Sequence, residues 1–493
     1  MLRNIRIIVA AVFATLITLL FLDFTGTLHR YFDWLAHIQF MPALVGVHIV
    51  ILGILVLLTL VLGRVYCSVI CPLGVYQDLV GRAANLFRKK KKYRFVYSKA
   101  KTWLRWGIVI LAVVAFSLGI HVIVSVLDPY ALYGRMAHSF GQPLYQYANN
   151  VLAYLAERAD SYAFYRVEII TTSGSVLIAA IASFAVVSIM AWRSGRSYCN
   201  TVCPVGTLLG FISQYSFFKI RISPSACNKC GLCERMCKAS CIDSANNYVD
   251  SSRCVACMNC LGLCKQQAIF YTAPQKSPQN AECTDTSRRT FLSIAGVFAL
   301  TNIVKSQDIK MDGGFAVIED KQIPNRNTPI IPAGSEHARQ FAQRCTACQM
   351  CVSVCPNHVL RPSNDLEHFM QPHMEFEKGF CRPECTRCTR VCPSGAIREI
   401  TREEKSSIKI GSAVWIKKNC VVFSKGARCR NCARHCPTGA ITMIPSDAEN
   451  PDSLAFPSVN NELCIGCGAC EFVCPARPFS AMYVNGLEQH RII

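Results

Sequence analysis

Cys227-Asn-Lys-Cys230-Gly-Leu-Cys233-Glu-Arg-Met-Cys237 is followed by Cys254-Val-Ala-Cys257-Met-Asn-Cys260-Leu-Gly-Leu-Cys264. Both runs read C-x2-C-x2-C-x3-C. Three cysteines in so tight a loop reach three irons of one cubane, while the fourth leaves on the next turn to bind the other. The spacing predicts that Cys227, Cys230, Cys233 and Cys264 hold one [4Fe–4S] cluster, and that Cys254, Cys257, Cys260 and Cys237 hold its partner. Structural zinc takes its four ligands as two short pairs, so it matches two interleaved runs poorly. The proline that commonly follows the fourth cysteine is replaced by Lys238 and Lys265, which alters local geometry without removing a ligand. Cys241 and Cys283 are left without an assigned role.

The same arithmetic continues downstream. Cys345, Cys348, Cys351 and Cys355 form a third run, and Cys381, Cys385, Cys388 and Cys392 a fourth. Cys420 stands apart from Cys429, Cys432 and Cys436, and the last run is Cys464, Cys467, Cys470 and Cys474. Pro356, Pro393, Pro437 and Pro475 each turn the chain after the fourth cysteine. Sixteen cysteines in register predict four more cubanes, six in all, with the 24 cysteines as iron ligands. Disulfides in a secreted miniprotein would not explain tight clusters in a chain of 493 residues.

Upstream the chain changes character. Hydrophobic residues make up 52% of the sequence, and four apolar stretches predict membrane spans: Ile5–Leu22, Pro42–Gly63, Trp103–Leu127 and Ile169–Trp192. Ten basic residues lie between Arg64 and Lys101, against one between Asp23 and Met41 and three between Asp128 and Glu168. That asymmetry puts the Arg64–Lys101 loop in the cytoplasm. The net charge of +21 is then explained by orientation and anionic lipid, not by nucleic acid. No small-residue cleavage site follows the first span.

At the cytoplasmic ends of the second and fourth spans sits an internal repeat. Arg64-Val-Tyr-Cys67-Ser-Val-Ile-Cys71-Pro-Leu-Gly74 recurs as Arg196-Ser-Tyr-Cys199-Asn-Thr-Val-Cys203-Pro-Val-Gly206. Cysteines at i and i+4 of a helix share a face, so two such faces bring four thiols together as a metal or redox group; packing cysteines are the plainer alternative. His48 and His121 fall near the outer leaflet, where an intramembrane ionisable residue is a functional candidate. They are read as flanking a quinol site. A b-type haem is not expected.

Between the halves lies Ser287-Arg288-Arg289-Thr-Phe-Leu, followed by an apolar run to Val304. Two arginines before a modest apolar stretch form the pattern of a twin-arginine export signal. Its internal position and lack of an Ala-x-Ala site predict that it stays as a fifth membrane anchor.

Residues 1 to about 272 resemble the NapH family of membrane-bound ferredoxin-type proteins, through the four spans, the C-x3-C-P repeats and the two-cluster tail. NosR-type proteins share the C-x3-C-P arrangement but add a flavin domain with no counterpart here. From Arg288-Arg289 through Pro475 the chain resembles the NapG/MauM family of exported four-cluster ferredoxins, including the long gap from Cys420 to Cys429. That second resemblance implies nested pairing: Cys355 with Cys464, Cys467 and Cys470; Cys474 with Cys345, Cys348 and Cys351; Cys436 with the second motif; Cys392 with the third. The expected architecture is an α-helical membrane domain over 1–215 and an α+β two-cluster ferredoxin module over 216–272. A linker with the export segment follows over 273–304, then an α+β four-cluster module over 305–493. The expected function is electron transfer in a bacterial inner membrane, from quinol to a periplasmic reductase or cytochrome c, with the first module cytoplasmic and the second periplasmic. No Rossmann fingerprint, flavin motif or P-loop is visible, so the chain carries electrons and does not house the terminal chemistry. The rival expectation is a maturation or reactivation factor that reduces a metal centre of a partner enzyme.

Overall fold

The computed structural model describes residues 2–23, 25–87, 95–169, 174–273, 321–326, 328–447, 449–450 and 453–493. Arg288, Arg289, the apolar run to Val304 and Cys283 lie outside the described residues.

Four helical paths run between two cysteine-rich units. Helix Leu2–Leu22 starts where Arg6 meets Asp78, beside the first unit, and ends with Ile17, Leu20 and Phe21 in one core with Cys348 and Met350 of the second. Helix Ile49–Leu62 runs the other way: its last turn accepts hydrogen bonds at Leu60 O and Val61 O from the backbone of Phe217 and Phe218. Helix Thr102–Ser117 sets out from Arg105, which donates to Ser252 of the first unit. Helix Gly174–Ser194 begins where Val176 packs on Ala347 and Met370 of the second unit. Just past its end, Arg196 N donates to Lys238 O of the first. The two units therefore sit at opposite ends of the helical layer.

Leu2–Leu22 and Gly174–Ser194 are each long and apolar enough to cross a membrane; Ile49–Leu62 and Thr102–Ser117 are apolar but shorter. The sequence suggested single spans over Pro42–Gly63 and Trp103–Leu127, and the structure breaks both. The first divides into Phe40–Val45 and Ile49–Leu62 at Val47, whose φ of +57° leaves the helical region, beside Gly46, where Ser394 O of the second unit fills the space a Cβ would need. The second divides at Gly119 (φ +79°), where Gly119 N and Ile120 N close the helix end on Phe116 O and Ala115 O. Ile8, Val12, Ile54, Leu57, Ile110, Val113, Ile178 and Ile181 point outward from the four helices.

Each unit is closed by an antiparallel strand pair. In the first, Lys219–Ile222 pairs with Ile269–Thr272, bracketing both cysteine runs. In the second, Ile408–Trp415 pairs with Met482–Ile492 around the last two runs.

The first unit is held to the helices largely through one carboxylate. Asp78, on the amphipathic helix Pro72–Phe87, receives Arg196 at 2.7 Å, Arg6 at 3.4 Å and Lys238. The cations at Arg196 and Lys238 hold its carboxyl below the usual range despite burial. Lys238 stands where the expected proline is missing, so that departure supplies a docking charge. Removing one member of a buried charge cluster costs about 3–5 kcal/mol. Asp78→Asn is expected to destabilise the chain by that order in thermal unfolding and to open residues 216–272 to limited proteolysis. An unchanged midpoint and digestion pattern would refute the docking role.

Candidate iron–sulfur and thiol sites

In four of the cysteine loops, the residues on either side of the middle cysteine both take positive φ. These pairs are Lys229 and Gly231, Ala256 and Met258, Ala347 and Gln349, and Gly466 and Gly468. A left-handed residue with a side chain costs about 1–2 kcal/mol, so its recurrence needs a reason. Successive amides in such turns point inward and make an anion-binding concavity of the kind found at Fe–S sites. The described cysteines are free of disulfides. The donor set and the inward amides fit an iron–sulfur cluster.

In the first unit the fourth cysteine of the first run stands with the second run. Cys260 lies within electrostatic reach of Cys257, Cys254 and Cys237. Cys233 neighbours Cys227 and Cys230, and Cys264 lies in the apolar core that the two runs share. Cys241, without a role from sequence, is buried with its Sγ 3.5 Å from that of Cys237.

The second unit departs from the nested expectation. Cys392 stands with Cys345, Cys348 and Cys351, and Cys355 joins Cys381, Cys385 and Cys388. Cys474 joins Cys420, Cys429 and Cys432, while Cys436 joins Cys464, Cys467 and Cys470. Motifs adjacent in sequence pair, because each fourth cysteine reaches the neighbour its own short connection brings close. The two pairs touch where Cys381 N donates to Cys467 O at 2.9 Å, beside the packed rings of Phe380 and Phe472.

The C-x3-C-P repeats meet face to face. Cys67, Cys71, Cys199 and Cys203 are buried in one core. Each repeat is split: the first cysteine lies in a one-turn helix, Val65–Val69 or Ser197–Thr201, and the second precedes the next helix, Pro72–Phe87 or Pro204–Ser213. Cys203 Sγ accepts from Gly206 N at 3.3 Å. Arg64 donates to Cys199 O, and Arg196 reciprocally donates to Cys67 O. A Cβ on Gly74 would collide with Cys67 O and Arg196, and one on Gly206 with Cys199 O and Arg64. Tyr66 donates to Gln39 and Tyr198 to Leu127 O. The shared Arg, Tyr, Cys and Gly positions thus all have a geometric reason. Among the described residues Arg64 has no carboxylate partner; its Nη2 lies 3.7 Å from Cys67 Sγ, and Gln77 donates to Cys199 Sγ at 3.0 Å. Burial pushes the Cys71 and Cys203 thiols up.

His48 and His121 are not brought together. His121 packs on Phe116. His48 instead faces His37 (ring centroids 6.4 Å apart) across a cavity of about 280 Å³ that also meets Asp33, Glu336, Arg390 and Cys392. His48 Nε2 is buried there without a hydrogen-bond partner. His37 was missed from sequence because 23–41 carries no long apolar run to draw attention to it.

A family model described as a 4Fe-4S dicluster domain matches residues 344–396, which hold the runs of Cys345 and Cys381, and 427–477, which begins after Cys420. One described as a 4Fe-4S binding domain matches 44–94 and 176–224, the two C-x3-C-P repeats. The chain therefore contains ferredoxin-type 4Fe-4S domains. The putative electron transport protein YccM of Escherichia coli (strain K12) is 24% identical over 241 residues, 49% of this chain and 59% of that protein. The ferredoxin-type protein NapG of the same organism is 35% identical over 158 residues, 29% of this chain and 65% of that one. The methylamine utilization ferredoxin-type protein MauM of Methylobacillus flagellatus is 29% identical over 165 residues, 33% and 70% respectively. No solved structure matches the chain.

Gly468 tests the cluster loops. Its φ is +80°, and a Cβ would sit inside the contact distance of the Phe376 ring, whereas Gly395 (φ +66°) faces open space. Gly468→Ala is expected to lower iron content by about four atoms per chain, with Gly395→Ala retaining full iron. Equal iron in both would refute the role given to this loop.

Proposed function

Starting from a NapG/MauM-like ferredoxin-type chain, we propose a membrane-bound electron carrier that takes electrons from quinol and delivers them to an oxidoreductase or cytochrome on the periplasmic side. In this reading the 24 cysteines hold six [4Fe–4S] clusters, each taking up one electron at a time. The N-terminal half is of NapH type, four helical paths cross the bilayer, and the two ferredoxin units face opposite compartments. Outward-pointing apolar side chains on all four helices support the bilayer.

The observation that carries the proposal is the cavity joining His48 and His37 to Cys392. Oxidising a quinol to its quinone releases two electrons and two protons. Cys392 belongs to the thiol group nearest the cavity, so the electrons have an adjacent destination. Burial lowers the basicity of His37, leaving it neutral and able to accept a proton. Among the described residues His48 Nε2 supplies a second unsatisfied position, and Asp33 and Glu336 also line the cavity.

Two measurements test this reading. With the purified full chain and a soluble quinol analogue, His48→Ala and His37→Ala are expected to slow quinol-driven bleaching of the clusters by roughly 100-fold, while dithionite still reduces every cluster. Wild-type rates in both variants would refute the quinol site. Separately, a tag after Ile493 is expected to be labelled in intact spheroplasts and to lose that labelling in Arg288→Lys plus Arg289→Lys. A tag sheltered in both would place the second unit in the cytoplasm.

A further inference from the structure

Between Glu404 and Asp447 the chain carries eight lysines and arginines and no acidic residue. Six of the eight are exposed: Lys417, Lys418, Lys425, Arg428, Arg430 and Arg434. The fold gathers them around one group of thiols. Lys417 and Lys418 stand on the helical turn Lys417–Asn419, immediately before Cys420. Arg428 and Arg430 flank Cys429, and Arg434 ends the short helix Asn431–Arg434, which contains Cys432. Phe423 is half exposed among these cations, with Lys417 Nζ 4.8 Å from the centre of its ring. Among the described residues the ion pairs Arg326–Glu471, Arg361–Glu375 and Arg390–Glu399 lie elsewhere in this unit, and Lys417, Lys418, Arg430 and Arg434 enter none. Like charges held together repel one another and destabilise the compact state, so their concentration at one group of thiols needs a reason.

Position supplies it. The second unit meets the helical layer in the core of Cys348, which takes in Ile17, Leu20 and Phe21 together with Tyr130 and Ala131 of the short helix Pro129–Met136. That helix also carries Leu132 and Met136 into the core of the repeat thiols. The cores around Cys420 and Cys432 draw on no residue of the helical layer among those described. Contact passes from the group of Cys348 to that of Cys381, then by the Cys381–Cys467 backbone bond to the group of Cys464. The group of Cys420, Cys429, Cys432 and Cys474 comes last. A path that enters at the helices therefore ends inside the cationic rim. Anionic lipid, which explains basic residues beside the helices, does not explain these.

We propose that the surface ringed by Lys417, Lys418, Arg430 and Arg434 docks a soluble redox protein whose own centre is surrounded by Asp and Glu side chains. This rests on the electron-carrier reading and names the class of partner for its outlet. One electron passes from the reduced cluster of Cys420, Cys429, Cys432 and Cys474 to the oxidised centre of the partner, with no bond made or broken. Opposite charges speed the encounter and fix its orientation more than they hold the complex, which suits a partner that must leave after each electron. Phe423 gives the apolar contact inside a charged rim.

The test uses the full chain, purified without oxygen and reduced with dithionite. The probe is a soluble b-type cytochrome with carboxylates around its haem edge, mixed in a stopped-flow instrument. Combining Lys417→Gln, Lys418→Gln, Arg430→Gln and Arg434→Gln is expected to slow reduction of the cytochrome about 10- to 100-fold at low salt, with iron content unchanged. The wild-type rate is expected to fall steeply between about 10 mM and about 500 mM salt, and the variant's rate hardly at all. Equal rates and equal salt dependence would overturn the proposal. Should the variant lose iron, wild type is compared on the cytochrome before and after amidation of its carboxylates, and equal rates would again overturn it. In nanodiscs of phosphatidylglycerol or of phosphatidylcholine, Lys417 and Lys418 are expected to react equally with an amine reagent. Protection by phosphatidylglycerol alone would give the surface to lipid and overturn the proposal. Wild-type protein that dithionite does not bleach would sink the electron-carrier reading itself, whereas rapid transfer indifferent to charge sinks only the docking.

Discussion

Arg64 and Arg196 cross between the two repeats, each donating to the carbonyl of the other repeat's first cysteine. A buried guanidinium is expensive unless its charge and its N–H groups are met, so the exchange fixes where both repeats must lie. Most of the molecule's middle follows from that constraint. Gly74 and Gly206 are glycines because the arriving arginine and carbonyl occupy the space of a Cβ. Arg64 also reaches Ser252, and Arg196 shares Asp78 with Lys238, so the same two side chains bind the first unit to the helices.

From this middle the thiol groups follow one another in contact. The group of Cys254 touches the repeats through Val255, and the repeats face Cys348 across Pro129–Met136. The group containing Cys381 meets that of Cys467 through a backbone hydrogen bond. Cys436 and Cys432 then share a core with Cys464 and Cys470. Pairing of adjacent motifs produces this serial order; nested pairing would fold the path back on itself.

Much of this was legible in the chain. The C-x2-C-x2-C-x3-C spacing is local, and Cys237 stands with Cys254, Cys257 and Cys260 as that spacing requires. Nested pairing was an inference from resemblance and not from spacing, and the structure replaced it with the rule that already served the first unit. The broken helices were not legible, because Val47 carries no local signal for its left-handed φ, and the Ser394 carbonyl packed on Gly46 is nearly 350 residues away in sequence. Pro129–Met136 was overlooked for a different reason: at eight residues it carries no long apolar run. Its Asp128-Pro129 start, with Asp128 accepting from Tyr130 N and Ala131 N, is a helix-opening signature that could have found it. The quinol candidates lie apart, and His48 instead meets His37, eleven residues earlier in the chain.

The reciprocal arginines have a consequence for how such a chain can be built. Residue i of one copy contacts residue j of the other, and j contacts i, which is the rule of an isologous dimer interface. Here both copies belong to one polypeptide, so the interface is internal and its symmetry only approximate: Asp78 serves one arginine and not the other. Neither repeat is a complete half-site that could persist alone, because its guanidinium would be stranded. The intervening stretch, 75–195, must return the second copy to the first while also supplying Asp78, Arg105 and the helix Pro129–Met136, so the approximate symmetry of the two repeats is surrounded by contacts that only one of them makes.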